Sequence, residues 1–204
     1  MALLDKPNRA SSSSTPREIR FGALWLASGP QAREDAFLDA LDGKALLALP
    51  WLFDFWALPH QLPPAGDWHT WLVLGGRGAG KTRAGAEWVR TMVEGATPFA
   101  AGRARRVALV GETIDQTREV MVFGESGVMS RRRLLWPNGA EAQLYSAHDP
   151  DSLRGPQFDA AWADELAKWP RAEATWDMLQ FALRMGGDPR ACVTTTPRNA
   201  GVLK

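Results

Sequence analysis

Cysteine is almost missing: Cys192 is the single thiol among 204 residues. One thiol excludes an internal disulfide framework and is too few for a cysteine-based zinc site. Long hydrophobic runs are missing as well. The longest uncharged apolar stretches, such as residues 45–53, fall well short of the ~20 residues that a membrane-spanning helix needs. Residues 1–20 are polar and contain no apolar core of a secretory leader, so no signal peptide is expected there. Charge of one sign is also absent. Twenty-four basic side chains face 23 acidic ones, a net of +1, and bulk charge alone predicts no polyanionic partner. A reducing, cytoplasmic setting and a single main core are the expectation.

What is present is an ordinary globular composition, 45% hydrophobic and 23% charged, which excludes wholesale disorder. Tryptophan is abundant, with ten residues at 25, 51, 56, 68, 71, 88, 136, 162, 169 and 176. Trp68, Trp71, Trp88 and Trp162 fall in or beside expected core elements, so burial is the reading for them. Base stacking by one or two of the others is the second reading.

Three segments follow along the chain. Residues 1–20, with Ser11 to Ser14 before Thr15-Pro16, cannot bury enough surface to offset their ordering entropy and read as a disordered tail. Residues 21–66 read as a helical segment: Phe37, Leu38, Leu41, Leu46, Leu47 and Leu49 suggest one or two helices over 31–49, and 51–58 stays apolar until Pro59. Residues 67–204 alternate strand and helix. Strands are expected at 70–74, 106–110, 158–163 and 191–195, and helices at 81–94, 115–123 and 172–184. A β-hairpin, 133–136 against 140–146, turns at Pro137-Asn138-Gly139. This alternation predicts an α/β protein with a mainly parallel sheet flanked by helices.

Gly75-Gly76-Arg77-Gly78-Ala79-Gly80-Lys81-Thr82 satisfies G-x-x-x-x-G-K-[ST] in full, after an apolar strand and at the start of a helix. The glycines allow backbone N–H groups to curl around a phosphate, and the helix N-terminus adds about half a positive charge. Lys81 would bridge the β- and γ-phosphates of ATP and Thr82 would hold Mg²⁺. The fold expected is therefore a P-loop NTPase of the ASCE/RecA-like kind, with the hairpin as an insertion.

Phe158 to Glu165 is an apolar strand ending in adjacent carboxylates. At the C-terminal edge of a parallel sheet such a pair faces the phosphate loop. Asp164 would hold the metal through its water shell, and Glu165 would activate water for attack on the γ-phosphate. An Asp-Glu pair that merely caps the next helix is the alternative. Val193-Thr194-Thr195-Thr196-Pro197-Arg198 closes a further strand with hydroxyls. If that strand runs between the two motif strands, one hydroxyl senses the γ-phosphate. Thr194, Thr195 and Thr196 are all open for that role, beside the plain reading of threonine as a good strand former.

With these signals in order, the chain resembles the large terminase subunit, the DNA-packaging motor of tailed phages, prophages and gene transfer agents. Residues 75–89 (GGRGAGKTRAGAEWV), 153–165 (LRGPQFDAAWADE) and 194–198 (TTTPR) carry the likeness, together with 107–113 (VALVGET) and 135–146 (LWPNGAEAQLYS). It extends over roughly residues 51–198. The resemblance implies a Mg²⁺-dependent ATPase working in a ring of subunits that pushes double-stranded DNA into a capsid, meeting a portal protein and a small terminase subunit. It further implies that Gln61, in Pro-His-Gln-Leu-Pro, reads adenine. Arg77 would contact the γ-phosphate, and Arg154 would be a finger presented to a neighbouring subunit's nucleotide. A loop glutamine and a solvated arginine are the competing readings for Gln61 and Arg154.

Two departures from the family pattern are expected to matter. Large terminases continue into a lid and an RNase H-like nuclease, whereas residues 199–204 hold no acidic residue, so no DNA cleavage is expected from this chain. The stretch 126–131 is short beside the family's longer connection. Both departures fit a truncated gene, a split gene or an excised domain. The alternatives to the motor are a nucleotide-binding remnant without turnover and a different P-loop translocase or helicase. Two basic clusters, Arg103-Arg105-Arg106 and Arg131-Arg132-Arg133, are candidates for phosphate contact, with solvated loop charge as the competing reading.

Overall fold

The computed structural model describes residues 20–122, 128–130 and 132–203. Residues 1–19 of the tail expected over 1–20, residues 126, 127 and 131 of the short connection, Phe123 at the end of an expected helix, and Lys204 lie outside the described residues. The chain divides into two compact units, Met1–Ala57 and Leu58–Lys204. Residues 58–66, which carry Gln61, belong to the second.

The first unit is helical: α1 (Gly22–Ala27), α2 (Gln31–Asp39), α3 (Gly43–Ala48) and α4 (Phe53–Trp56). The apolar stretch over 31–49 breaks into two helices because Asp42 caps the second, its carboxylate accepting from Ala45 N at 2.7 Å. Phe55 is the anchor, stacked on Phe37 at 5.5 Å and 3% exposed. Trp25, Trp51 and Trp56 stay exposed.

The second unit holds a seven-stranded sheet. Its strands are β1 (Thr70–Leu74), β2 (Arg106–Gly111), β3 (Val128–Ser130), β4 (Arg133–Leu135), β5 (Glu141–Ser146), β6 (Ala160–Asp164) and β7 (Arg190–Thr195), in the order β1-β7-β6-β2-β5-β4-β3. The first five in that order run parallel, and β4 and β3 add antiparallel at the far edge. The hairpin expected at Asn138-Gly139 is the β4–β5 pair, joined to the parallel strands through β5. β5 pairs in parallel with β2 along its whole length and is part of the main sheet. Asn138 fixes the turn, donating to the carbonyls of Val93 and Ala100 at 2.7 and 3.0 Å. β3 was not expected from the sequence.

Among the described residues of this unit are three α-helices: α5 (Lys81–Val93), α6 (Ile114–Met121) and α7 (Ala172–Ala182). Helix α6 begins a residue earlier than expected because Thr113 caps it, its hydroxyl accepting from Gln116 N at 3.2 Å. The period-2 alternation of the strands sorts the core into two layers. Trp71, Val73, Val107, Leu109, Ala160, Trp162 and Cys192 face α5, with Trp88 and Val89 of that helix packed onto them. Ala108, Val110, Ala161, Ala163 and Val193 face α7 through Leu179 and Ala182. Of the four tryptophans assigned to the core, Trp71, Trp88 and Trp162 are buried and Trp68 packs partly buried against them. Trp136 and Trp169 are buried as well. Among the described residues no helix is long and apolar enough to cross a membrane.

Candidate active site

The register of the central strands brings three chain segments to one edge. β7 lies between β1 and β6, and Val73 pairs with Thr194, Leu74 with Thr195, and Asp164 with Thr194. The C-terminal ends of β1, β6 and β7 therefore finish level, where a parallel sheet presents its loops to ligands. The threonine strand thus runs between the two motif strands, as the sensor reading required.

From β1 the chain enters the loop 75–80 and turns into α5. Gly78 and Gly80 have φ of +78° and +71°, a left-handed backbone that side chains disfavour. Gly80 opens α5 with no side-chain cap, so no side chain competes for the first N–H groups of the helix. Lys81 is buried, 8% exposed, and its ammonium donates to the Gly76 carbonyl at 3.0 Å across the loop. Its Nζ also lies 3.8 Å from Oε1 of Glu165. Thr82 follows, half-buried, and Arg77 is exposed in the turn of the loop.

Asp164 ends β6 on the α5 face, 5% exposed. Oδ1 accepts from the Thr194 hydroxyl at 2.6 Å, and that hydroxyl in turn accepts from the Trp162 indole at 2.8 Å. Burial pushes the Asp164 carboxyl above its usual range, opposed first by the Thr194 hydrogen bond, while the Glu165 charge adds to the rise.

Glu165 takes a left-handed backbone, φ +52° and ψ +41°, which costs a non-glycine residue on the order of 1–3 kcal/mol. That turn swings its side chain away from the strand and onto the loop 195–197. The Thr196 N–H and hydroxyl each donate to the carboxylate at 3.1 Å, and Lys168 pairs with it at 3.2 Å. Burial works to raise this carboxyl. The Thr196 N–H, the Lys168 ion pair and the Thr196 hydroxyl outweigh it, so Glu165 falls below the usual range. The adjacent carboxylates are thus tuned in opposite directions by their surroundings.

The three threonines divide the work. Thr194 is buried against Asp164, Thr196 holds Glu165, and the Thr195 hydroxyl accepts from Ala167 N at 3.1 Å, fixing the turn after β6. Gln61 sits on the phosphate loop. Its carbonyl accepts from Leu58 N at 2.8 Å and its amide donates to Gly80 O at 3.4 Å, with His60 bonded to Ala79 O at 3.0 Å beside it. Arg154 lies apart from this cluster, in the loop after β5, 70% exposed and paired with Asp151 at 3.0 Å.

The basic clusters are partly neutralised. Arg103 pairs with Asp188, and Arg106 and Arg133 share Glu141. Arg103, Arg105 and Arg106 precede or open β2, at the sheet edge opposite the phosphate loop. Arg131 lies outside the described residues. Sequence reasoning missed Trp162 and Lys168 as parts of the site. Their signal was positional: Trp162 stands two residues before Asp164 on a strand, hence on the same face, and Lys168 three residues after Glu165.

The donor set suits magnesium better than a protein-caged ion. Among the described residues no group of three or more His, Cys, Asp or Glu side chains could hold a metal. One buried carboxylate, Asp164, and one half-buried hydroxyl, Thr82, would fit Mg²⁺ with phosphates and waters completing its octahedron.

Several solved structures resemble this fold. A point mutant of the large terminase ATPase domain of Thermus phage P74-26 is 25% identical with a TM-score of 0.44, the match covering 66% of this chain and 62% of that one. The large terminase of a thermophilic bacteriophage, in complex with ADP, is 17% identical with a TM-score of 0.46, over 63% and 33% of the two chains. The HK97 bacteriophage large terminase is 18% identical with a TM-score of 0.46, over 69% and 32%. The chain thus spans about three-fifths of the first of these and about a third of the other two. No curated protein matches the chain. The family described as terminase large subunit, T4likevirus-type, N-terminal, matches residues 72–202, well over half of the sequence, and the chain belongs to that family.

Proposed function

We propose that this chain is the ATP-hydrolysing module of a DNA-packaging motor, converting ATP and water to ADP and phosphate with Mg²⁺. The observation that carries the reading is the approach of Lys81 to Glu165, 3.8 Å apart, with Asp164 next in sequence and buried. A phosphate cradle, a metal carboxylate and a water-orienting carboxylate then address one triphosphate.

In this reading the N–H groups of residues 76–82 and the Lys81 ammonium bind the β- and γ-phosphates, and Arg77 adds a charge at the γ-phosphate. Thr82 and Asp164 would hold Mg²⁺, which when bound neutralises charge on the phosphate oxygens. Glu165, kept ionised by Thr196 and Lys168, accepts a hydrogen bond from the attacking water and takes its proton as the new bond to the γ-phosphorus forms and the bond from that phosphorus to the oxygen bridging the β-phosphate breaks, releasing ADP. Gln61 stands at the loop for the adenine edge, and its present bonds to Leu58 and Gly80 give it a fixed starting position. Thr194, Thr195 and Thr196 report the state of the γ-phosphate through the two carboxylates and the turn between them.

Membership of the terminase family supports the wider reading: a ring of such subunits in the cytoplasm of a bacterial host, acting on double-stranded DNA with a portal protein and a small terminase subunit. Arg154 is exposed, as a finger reaching a neighbouring subunit's nucleotide must be.

The test is Mg²⁺-dependent ATP turnover in the wild-type protein and Glu165→Gln. Loss of a positioned general base is worth about 10²–10⁴ in rate. Equal turnover in both proteins would remove Glu165 from the mechanism, and nucleotide binding without any turnover in the wild type would contradict the ATPase reading.

A further inference from the structure

The hydrogen bonds behind Asp164 form a directed chain. An indole nitrogen only donates, and a hydroxyl has one proton and two lone pairs. Trp162 Nε1–H donates to Thr194 Oγ1 at 2.8 Å, and Thr194 Oγ1 lies 2.6 Å from Asp164 Oδ1. With a lone pair taken by the indole, the single Thr194 proton is held on the carboxylate. Both Trp162 and Thr194 are fully buried, so no solvent competes for either bond. No hydrogen bond among the described residues falls on the other carboxylate oxygen, Oδ2.

The indole is itself immobilised. It lies on the α5 face of β6, and Gly85 of α5 comes so close that a Cβ there would stand 2.2 Å from the ring. The helix that begins with Lys81 and Thr82 is thus seated on the side chain that orients Thr194. Trp162 joins the phosphate-loop helix, the metal carboxylate and the threonine strand through one rigid group.

We infer that Trp162 is a positioning residue for metal binding: its N–H locks the Thr194 hydroxyl onto Oδ1, so that Oδ2 of Asp164 is the oxygen that would be available to Mg²⁺. This rests on the nucleotide-site reading above. Partners that orient a metal ligand typically change metal affinity by about 10–100-fold when removed. A bulky core residue acting only through packing would instead affect stability and leave the metal-specific step alone.

The experiment measures Mn²⁺ binding by electron paramagnetic resonance in the presence of ADP, and ADP binding without metal, for wild type, Trp162→Phe, Thr194→Val and the double variant. The expected result is a loss of about tenfold in Mn²⁺ affinity for Trp162→Phe, with metal-free ADP affinity within about twofold of wild type. Because Trp162 acts through Thr194, the double variant should bind Mn²⁺ no more weakly than Thr194→Val alone. Wild-type Mn²⁺ affinity in Trp162→Phe, or losses that multiply in the double variant, would overturn the assignment. Should Trp162→Phe fail to fold, 3-benzothienylalanine at position 162, which keeps the ring shape and replaces N–H by sulfur, decides between the same two results. Absence of Mn²⁺ binding by the wild-type protein with ADP would overturn the nucleotide-site reading itself, and this assignment with it.

Discussion

The Thr196 hydroxyl and N–H both reach the Glu165 carboxylate, at 3.1 Å each, across the gap between β7 and the turn that follows β6. This two-point grip holds a glutamate whose backbone sits in a left-handed conformation. It links the carboxylate proposed to orient water with the loop that leaves the threonine strand.

Thr196→Val removes the hydroxyl and keeps the backbone donor. One charge-assisted hydrogen bond is worth about 1.5–3 kcal/mol, so turnover should fall by roughly 10–100-fold. ATP affinity should stay within a few-fold, and Thr196→Ser should restore most of the rate. A Thr196→Val enzyme with wild-type kcat would show that the grip has no part in turnover.

Gly85 tests the packing of the loop helix. A methyl group there would stand 2.2 Å from the buried Trp162 ring, which has no room to withdraw. Gly85→Ala should therefore destabilise the protein by about 1–3 kcal/mol despite the higher helix propensity of alanine. Urea denaturation checks this, and an equal or higher midpoint would contradict the close approach.

Cys192 should be inert in the folded protein. It is fully buried, and burial, helped by the Asp164 charge, raises its thiol well above the usual range. Iodoacetamide at mildly alkaline pH should label the native chain only as fast as it unfolds, and label one thiol at once in guanidinium. Rapid labelling under native conditions would place Cys192 outside the core.

Arg154 makes its contribution, in the proposed reading, to a neighbour. Specific ATPase activity should then rise with protein concentration, and Arg154→Ala should flatten that rise; an arginine finger is worth about 10³–10⁵ in rate. Activity per subunit that is independent of concentration in the wild type would remove Arg154 from catalysis.

Much of this arrangement was legible in the sequence because its determinants are local. The apolar run 70–74, the loop glycines and the helix from Lys81 follow one another without a gap, and Asn138-Gly139 marks its own turn. The β6 strand and its carboxylate ending were legible for the same reason. What stayed hidden was non-local. Which threonine serves which carboxylate depends on the β6–β7 register, and pattern alone left all three open. Trp162 reads as core by its hydrophobicity, and its second task emerges only when Thr194 is paired two residues further along the neighbouring strands. The hairpin's membership of the main sheet likewise depends on β5 meeting β2, a pairing between segments with no local signal.

In the proposed reading the phosphate loop and the β6 carboxylates act on a single Mg²⁺-nucleotide. Metal and nucleotide must then strengthen each other's binding by the same factor. The direct measurement is calorimetric titration of ATP, with Mg²⁺ and with EDTA, into wild type and Asp164→Asn. Clearly tighter binding with Mg²⁺ is expected in the wild type, with loss of most of that enhancement in Asp164→Asn and the EDTA affinity little changed. An Asp164→Asn protein that keeps the full Mg²⁺ enhancement would contradict that reading.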